Sequence, residues 1–190
     1  MTMQFPAPLT PPEVDLQDFA FMPLDVLRLR DSELAGTPDA EVFRCSVLSW
    51  CISWHQIPAA SLPDDDVQLA RLLGFGRDIK GWKKIRAAGG LRGWIECADG
   101  RLYHPVVAEK AIEAWNGKLM QRWRTEISRI KKHAQRHKID LPVPDFETWL
   151  SQGCPQGQPL PVPKDTPKDS GQCPKEVSEE KGSKGQGEGQ

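Results

Sequence analysis

Long apolar runs are missing from this chain. No stretch approaches the ~18 apolar residues that a membrane-spanning helix needs, so no membrane partner is expected. Metal-ligand spacing is missing too. The cysteines at Cys45, Cys51, Cys97, Cys154 and Cys173 form no CxxC and have no His at the spacing of a structural zinc site. Cys45 and Cys51 fall in a predicted helix and Cys97 in a predicted strand, where a thiol acts as a small apolar group. Catalytic signatures are absent: there is no GxSxG, no HExxH and no glycine loop that would cradle a phosphate. Gly74, Gly76, Gly81, Gly89 and Gly90 do not have that spacing. His55, His104, His133 and His137 are scattered or sit in a basic run, and none lies beside a Ser or Cys with a third group. The expectation is a protein that is not an enzyme and has no cofactor and no metal. Residues 1–18 carry no Lys or Arg, unlike the start of a secretory signal, which makes the cytoplasm the expected compartment.

What is present is a charge asymmetry that the net charge of -1 conceals. Residues 1–66 hold 3 Lys/Arg and 11 Asp/Glu; residues 67–138 hold 17 and 6; residues 139–190 hold 5 and 9. A basic middle between acidic flanks suits a polyanion partner, although a solvated charged face would have the same composition.

Taken in order, residues 1–18 contain Pro6, Pro8, Pro11 and Pro12 and are expected to be a disordered leader. Residues 19–29 are apolar but interrupted by Pro23, and a short helix over 24–30 is expected to lie on the core. Thr37 and Pro38 read as the N-cap and first residue of a helix, with Asp39 and Glu41 in its first turn. Ala40, Phe43, Val47, Trp50 and Trp54 then recur at steps of 3 and 4, the stripe of a core helix ending near His55. Asp64, Asp65 and Asp66 open the next apolar run. Adjacent carboxylates at a helix start cap free N–H groups and meet the positive end of the dipole; they point in different directions and do not converge on a cation.

Residues 62–107 organise the chain. The run 67–73 stops at Gly74, and 77–88 is a basic helix that stops at Gly89-Gly90. In the latter, Ile79, Trp82 and Ile85 make an apolar face, Lys80, Lys83 and Lys84 face away from it, and Gly81 weakens the helix or admits a close neighbour. Two strands, 93–97 and 101–106, meet at Asp99-Gly100, read as a two-residue turn. That register pairs Cys97 with Leu102 and Ile95 with His104, and places all four on the core face. His104 is then a partly buried, hydrogen-bonded residue. Helix, tight turn, basic helix and hairpin is the order of a winged helix-turn-helix, whose second helix enters the major groove. The cations placed to meet phosphate are Arg77, Lys80, Lys83, Lys84 and Arg86, with Arg92 and Arg101 at the ends of the hairpin. The helix has no Asn or Gln to read adenine, so any base reading falls to Lys or Arg on guanine.

Residues 107–139 step apolar through Ile112, Trp115, Leu119, Trp123, Ile127 and Ile130, and Asn116-Gly117 is the place where such a helix would break or kink. Their other faces carry Arg122, Arg124, Arg129, Lys131 and Lys132. This helix either packs on the domain as a basic rail or self-associates, so a homo-oligomer stays open. After Asp140 the composition turns to Pro, Gly and charge, which cannot fold alone. One island, 145–152, offers Phe146, Trp149 and Leu150 to a partner's groove, or tucks onto the domain.

The expected fold is therefore mainly α with a small β-hairpin. It divides into a disordered leader (1–18), a winged helix-turn-helix (19–108), a basic amphipathic helix (109–139) and a disordered tail (140–190). Phe21-Met22-Pro23-Leu24, the helix bearing Trp50 and Trp54, Leu62-Pro63-Asp64-Asp65-Asp66-Val67-Gln68-Leu69-Ala70-Arg71, Trp82 and Asp99-Gly100-Arg101-Leu102-Tyr103-His104-Pro105 together resemble the YdaU-like family of prophage-encoded proteins. Glu41-Val42-Phe43-Arg44 stands where that family usually has Gly-Ala-Tyr. The resemblance implies a winged-helix phage replication protein that binds double-stranded DNA at an origin and recruits a replicative helicase or its loader. A winged-helix transcriptional regulator and a protein-interaction adaptor are the alternatives.

Overall fold

The computed structural model describes residues 5–36 and 39–162. About half of the described residues are helical, around one small antiparallel sheet. The order is α1 (Val26–Arg30), α2 (Ala40–Trp54), β1 (Ser61–Pro63), α3 (Asp66–Leu72), α4 (Ile79–Ile85), a π-turn over Arg86–Gly90, β2 (Ile95–Glu96), β3 (Arg101–Tyr103), α5 (Pro105–His137) and α6 (Phe146–Ser151). Among the described residues no helix is long and apolar enough to cross a membrane.

The leader departs from expectation over residues 5–18. Val14 and Leu16 are fully buried with Trp54, Val107, Ala108 and Ala111. Thr10 Oγ1 donates to the Ala59 carbonyl at 2.8 Å, and Ala59 N donates to the Val14 carbonyl at 2.9 Å. Proline forbids a helix but suits an extended strap, and Val14 and Leu16 supply the burial that orders it.

The core stripe of α2 is rotated from the predicted one. Its buried residues are Val42, Cys45, Ser46, Ser49, Ser53 and Trp54, whereas Phe43 is 37% exposed and Ala40 faces solvent. The serine hydroxyls make this possible. Ser46, Ser49 and Ser53 donate to the carbonyls of Val42, Ser46 and Trp50, so each satisfies itself and leaves a low surface for neighbours. Apolar periodicity overlooks a face made of self-satisfied serines. Thr37 and Pro38, the predicted helix start, lie outside the described residues. Asp39 caps the helix, accepting from Glu41 N and Val42 N.

The second core cluster joins Cys45, Leu62, Leu69, Ala70, Leu73, Trp82 and Leu102, and so ties α2, α3 and α4 to the sheet. The strand order is β1-β3-β2, with β3 in the middle. The hairpin register is one residue away from the predicted one: Ile95 faces Tyr103 and Glu96 faces Leu102. Cys97 N donates to the Arg101 carbonyl and Gly100 N to the Cys97 carbonyl, both at 2.9 Å, closing a three-residue loop with Gly100 at φ +73°. The leader accounts for the shift, because the Pro6 carbonyl takes the Ala98 N–H at 2.8 Å that a two-residue turn would have used. Ile95 consequently stands 40% exposed, while Leu102 and Tyr103 are both buried because β3 is covered on both faces.

Helix α5 runs unbroken through Asn116-Gly117. Its first turns pack on the domain through Val107, Ala108 and Ala111. Its later apolar stripe is covered by the returning chain. Trp149 of α6 is fully buried, Phe146 packs edge-on against Trp123 at 5.8 Å, and Trp123 Nε1 donates to the Pro144 carbonyl at 3.1 Å. Up to residue 162 the tail is therefore packed against its own helix. Trp149 is not available to a partner's groove, and Phe146 and Leu150 are only partly exposed. Residues 163–190 of the expected disordered tail lie outside the described residues.

Candidate nucleic-acid interface

The acidic triplet and α4 hold one another. Asp65 caps α3 by accepting from Gln68 N at 2.7 Å. Asp66, one residue on, points to α4. Its Oδ1 accepts from Trp82 Nε1 at 2.9 Å and from Arg86 Nη1 at 2.8 Å, while Arg86 Nη2 donates to Asp64. The Arg86 hydrogen bond holds the Asp66 carboxyl below its usual range, against partial burial that pushes it up. Trp82 is fully buried and packs on Phe75 with ring centroids 5.9 Å apart. At the start of α4 the Asp78 side chain accepts from Gly81 N at 2.8 Å and folds over Gly81, so this glycine makes room for its own cap and not for a foreign backbone.

This anchoring divides the predicted phosphate-binding set. Arg77, Lys80 and Lys84 are exposed and form no ion pair among the described residues. Lys83 is exposed but lies 3.6 Å from Asp66. Arg86 is turned inward on Asp64 and Asp66 and its charge is already matched. Arg92 is paired with Glu33 at 2.7 Å. Arg101 donates through Nε to Ser61 Oγ at 2.9 Å and braces the sheet.

On α5, Arg122 reaches Gln156 at 3.3 Å and Arg129 is paired with the buried Glu126 at 2.6 Å. Arg124, Lys131 and Lys132 are exposed and without an ion pair among the described residues. Arg124, Arg129 and Lys132 line a shallow groove of about 550 Å³ with the neutral side chains of Gln121, Thr125 and Ser128. The C-terminal half of α5 thus presents to solvent cations that have no ion pair among the described residues, and its apolar face is closed by the chain up to residue 162.

Sequence reasoning missed a second feature. A cavity of about 340 Å³ opens between α1, α2, Gly93 and the start of α5. His104 is on its wall, held between the rings of Trp50 at 5.4 Å and Trp94 at 5.5 Å. Burial pushes the His104 pKa down to about 4, so the ring is neutral. Among the described residues its buried Nδ1 has no hydrogen-bond partner, contrary to the expected satisfied histidine. Positions 50, 94 and 104 are too far apart for any local spacing to have linked them. Among the described residues no three His, Cys, Asp or Glu side chains gather as a metal site.

No family model, no curated protein and no solved structure matches this chain.

Proposed function

We propose that this protein binds double-stranded DNA as a winged helix-turn-helix module, with α4 as the helix that enters the major groove. The observation that carries the reading is the two-sidedness of α4. Trp82 and Arg86 bind it to the protein, and Arg77, Lys80, Lys83 and Lys84 look outward. The element order from α2 to β3 and the strand order β1-β3-β2 support it, since they set a helix pair beside a hairpin. Lysines of this kind supply phosphate contacts, which give affinity without sequence information. Arg124, Lys131 and Lys132 on α5 extend the footprint as a second set of contacts. The resemblance to YdaU-like proteins supports a role as a phage or prophage replication protein that binds an origin and recruits a helicase or its loader.

The test is a duplex-binding titration at two salt concentrations. Each phosphate contact adds about 0.9 to the slope of log affinity against log salt. Lys83 is shared with Asp66, so the change K80A/K83A/K84A removes about 1.8 to 2.7 from that slope. Over a fourfold rise in salt the native protein then loses roughly 10 to 40 times more affinity than the variant. Unchanged affinity and slope in the variant remove α4 from the interface and leave the adaptor reading. Selection of bound genomic fragments separates the two DNA roles. Clustered repeats beside a replication gene support an initiator, and one near-palindromic site supports a regulator.

A further inference from the structure

The segment before α2 is unusually apolar for a surface. Helix α1 buries none of its residues, and Phe21, Leu24, Val26 and Leu27 are 79%, 47%, 65% and 59% exposed. A helix this short is not stable alone, and a contiguous apolar patch marks an interaction site. The backbone that presents the patch is held at several points. The Phe19 carbonyl lies 2.7 Å from His55 Nε2, Asp25 caps α1 by accepting from Arg28 N, and Arg28 is paired with Glu109 at 3.0 Å. Phe21 therefore projects from a fixed support.

The 340 Å³ cavity lies beside this projection. Met22, Leu24, Leu29, Leu34, Trp50 and Val107 give it an apolar lining, and its size is at the lower end of ligand pockets, enough for one aromatic side chain. A protruding Phe and an apolar hole thus share one face of one chain.

We propose that two copies of this chain pair through this face, each placing Phe21 in the other's cavity. A twofold interface requires a surface that complements itself, and a knob beside its own hole meets that condition. The charges agree. Arg28 with Asp25 at 3.4 Å, Arg30 with Asp31 at 2.7 Å and Arg92 with Glu33 at 2.7 Å balance the patch locally, so a second copy meets no repulsion. The C-terminal tail of the same chain is a poor occupant, because residues 163–190 contain Val177 as their single large apolar side chain. Pairing of this kind would set two α4 helices on one assembly, but it does not depend on DNA.

The experiment is sedimentation of the full chain across a dilution series without DNA. The expected mass is twice the 21.3 kDa of the chain. Phe21→Ala should raise the dissociation constant about 100-fold, about tenfold for each of the two side chains withdrawn. Phe21→Asp should give the single-chain mass throughout, with the native far-UV spectrum, because the side chain is mostly exposed in the single chain. K80A serves as the control and should stay paired. A native chain that remains single at every concentration overturns the proposal, as does a pair that survives Phe21→Asp. Either result leaves the duplex-binding reading untouched.

Discussion

Asp66 is the residue on which the orientation of α4 depends, and its removal has a cost that can be worked out. Asp66→Ala takes away the acceptor of Trp82 Nε1, a donor on a fully buried side chain. An orphaned buried N–H costs about 1–3 kcal/mol. The ion pair with Arg86 adds less, because the two side chains are 32% and 27% exposed and water screens them, so about 0.2–1 kcal/mol is appropriate. The sum is roughly 1–4 kcal/mol, which for a chain of this length lowers Tm by about 2–16 °C. The assay is thermal unfolding in a double-mutant cycle with Trp82→Phe, which removes the N–H and keeps most of the ring packing. In the Phe background Asp66→Ala should cost only about 1 kcal/mol, since no orphan donor is created. The carboxyl titrates below its usual range in the fold, so its contribution is present above the unfolded value and disappears as acid protonates the folded group. An equal cost of Asp66→Ala in both backgrounds would show that the Trp82 contact carries no energy and that the pairing with Arg86 accounts for the whole effect.

Two further outcomes concern His104 and Trp149. The His104 pKa of about 4 lies below the unfolded value, so between those two pH values the unfolded chain binds a proton that the folded chain refuses, and stability falls on acidification. His104→Gln should flatten the stability–pH curve in that window by up to about 1 kcal/mol per pH unit, and identical slopes for native and variant would show the ring to be solvated. Trp149→Ala should release α6 and the chain up to residue 162 from α5, seen as lost amide protection over 140–160 with the core melt retained, because the contacts of Trp149 are local. Retained protection there would mean that Phe146 and Leu150 hold the segment without it.

Much of the fold was legible because local chemistry dictates it. The cap by Asp65, the stop at Gly89-Gly90, the hairpin glycine and the long run of α5 each depend on a few neighbouring residues. The outward lysines of α4 were legible for the same reason: a 3.6-residue period that buries Trp82 must expose Lys80, Lys83 and Lys84. Prolines misled at the leader, where Val14 and Leu16 find a core that only α2 and α5 together provide. Serines hid the buried face of α2, since a hydroxyl counts as polar until it is seen bonded to its own helix. The island at 145–152 read equally as anchor or tuck, and the exposed apolar stripe of α5 decided for the tuck.

The order of the helices, the cap by Asp65 and the sign of charge on each helix were settled by the chain itself, because they arise from interactions within a turn or two. Which cations stay free was settled only in three dimensions. Arg86 and Lys84 are close in sequence and equal in charge, yet Asp64 and Asp66 arrive from a distant part of the chain to claim the first and leave the second to solvent. The cavity beside Phe21 is likewise a product of tertiary packing, since it is a gap between four separate segments, and a gap has no residue of its own.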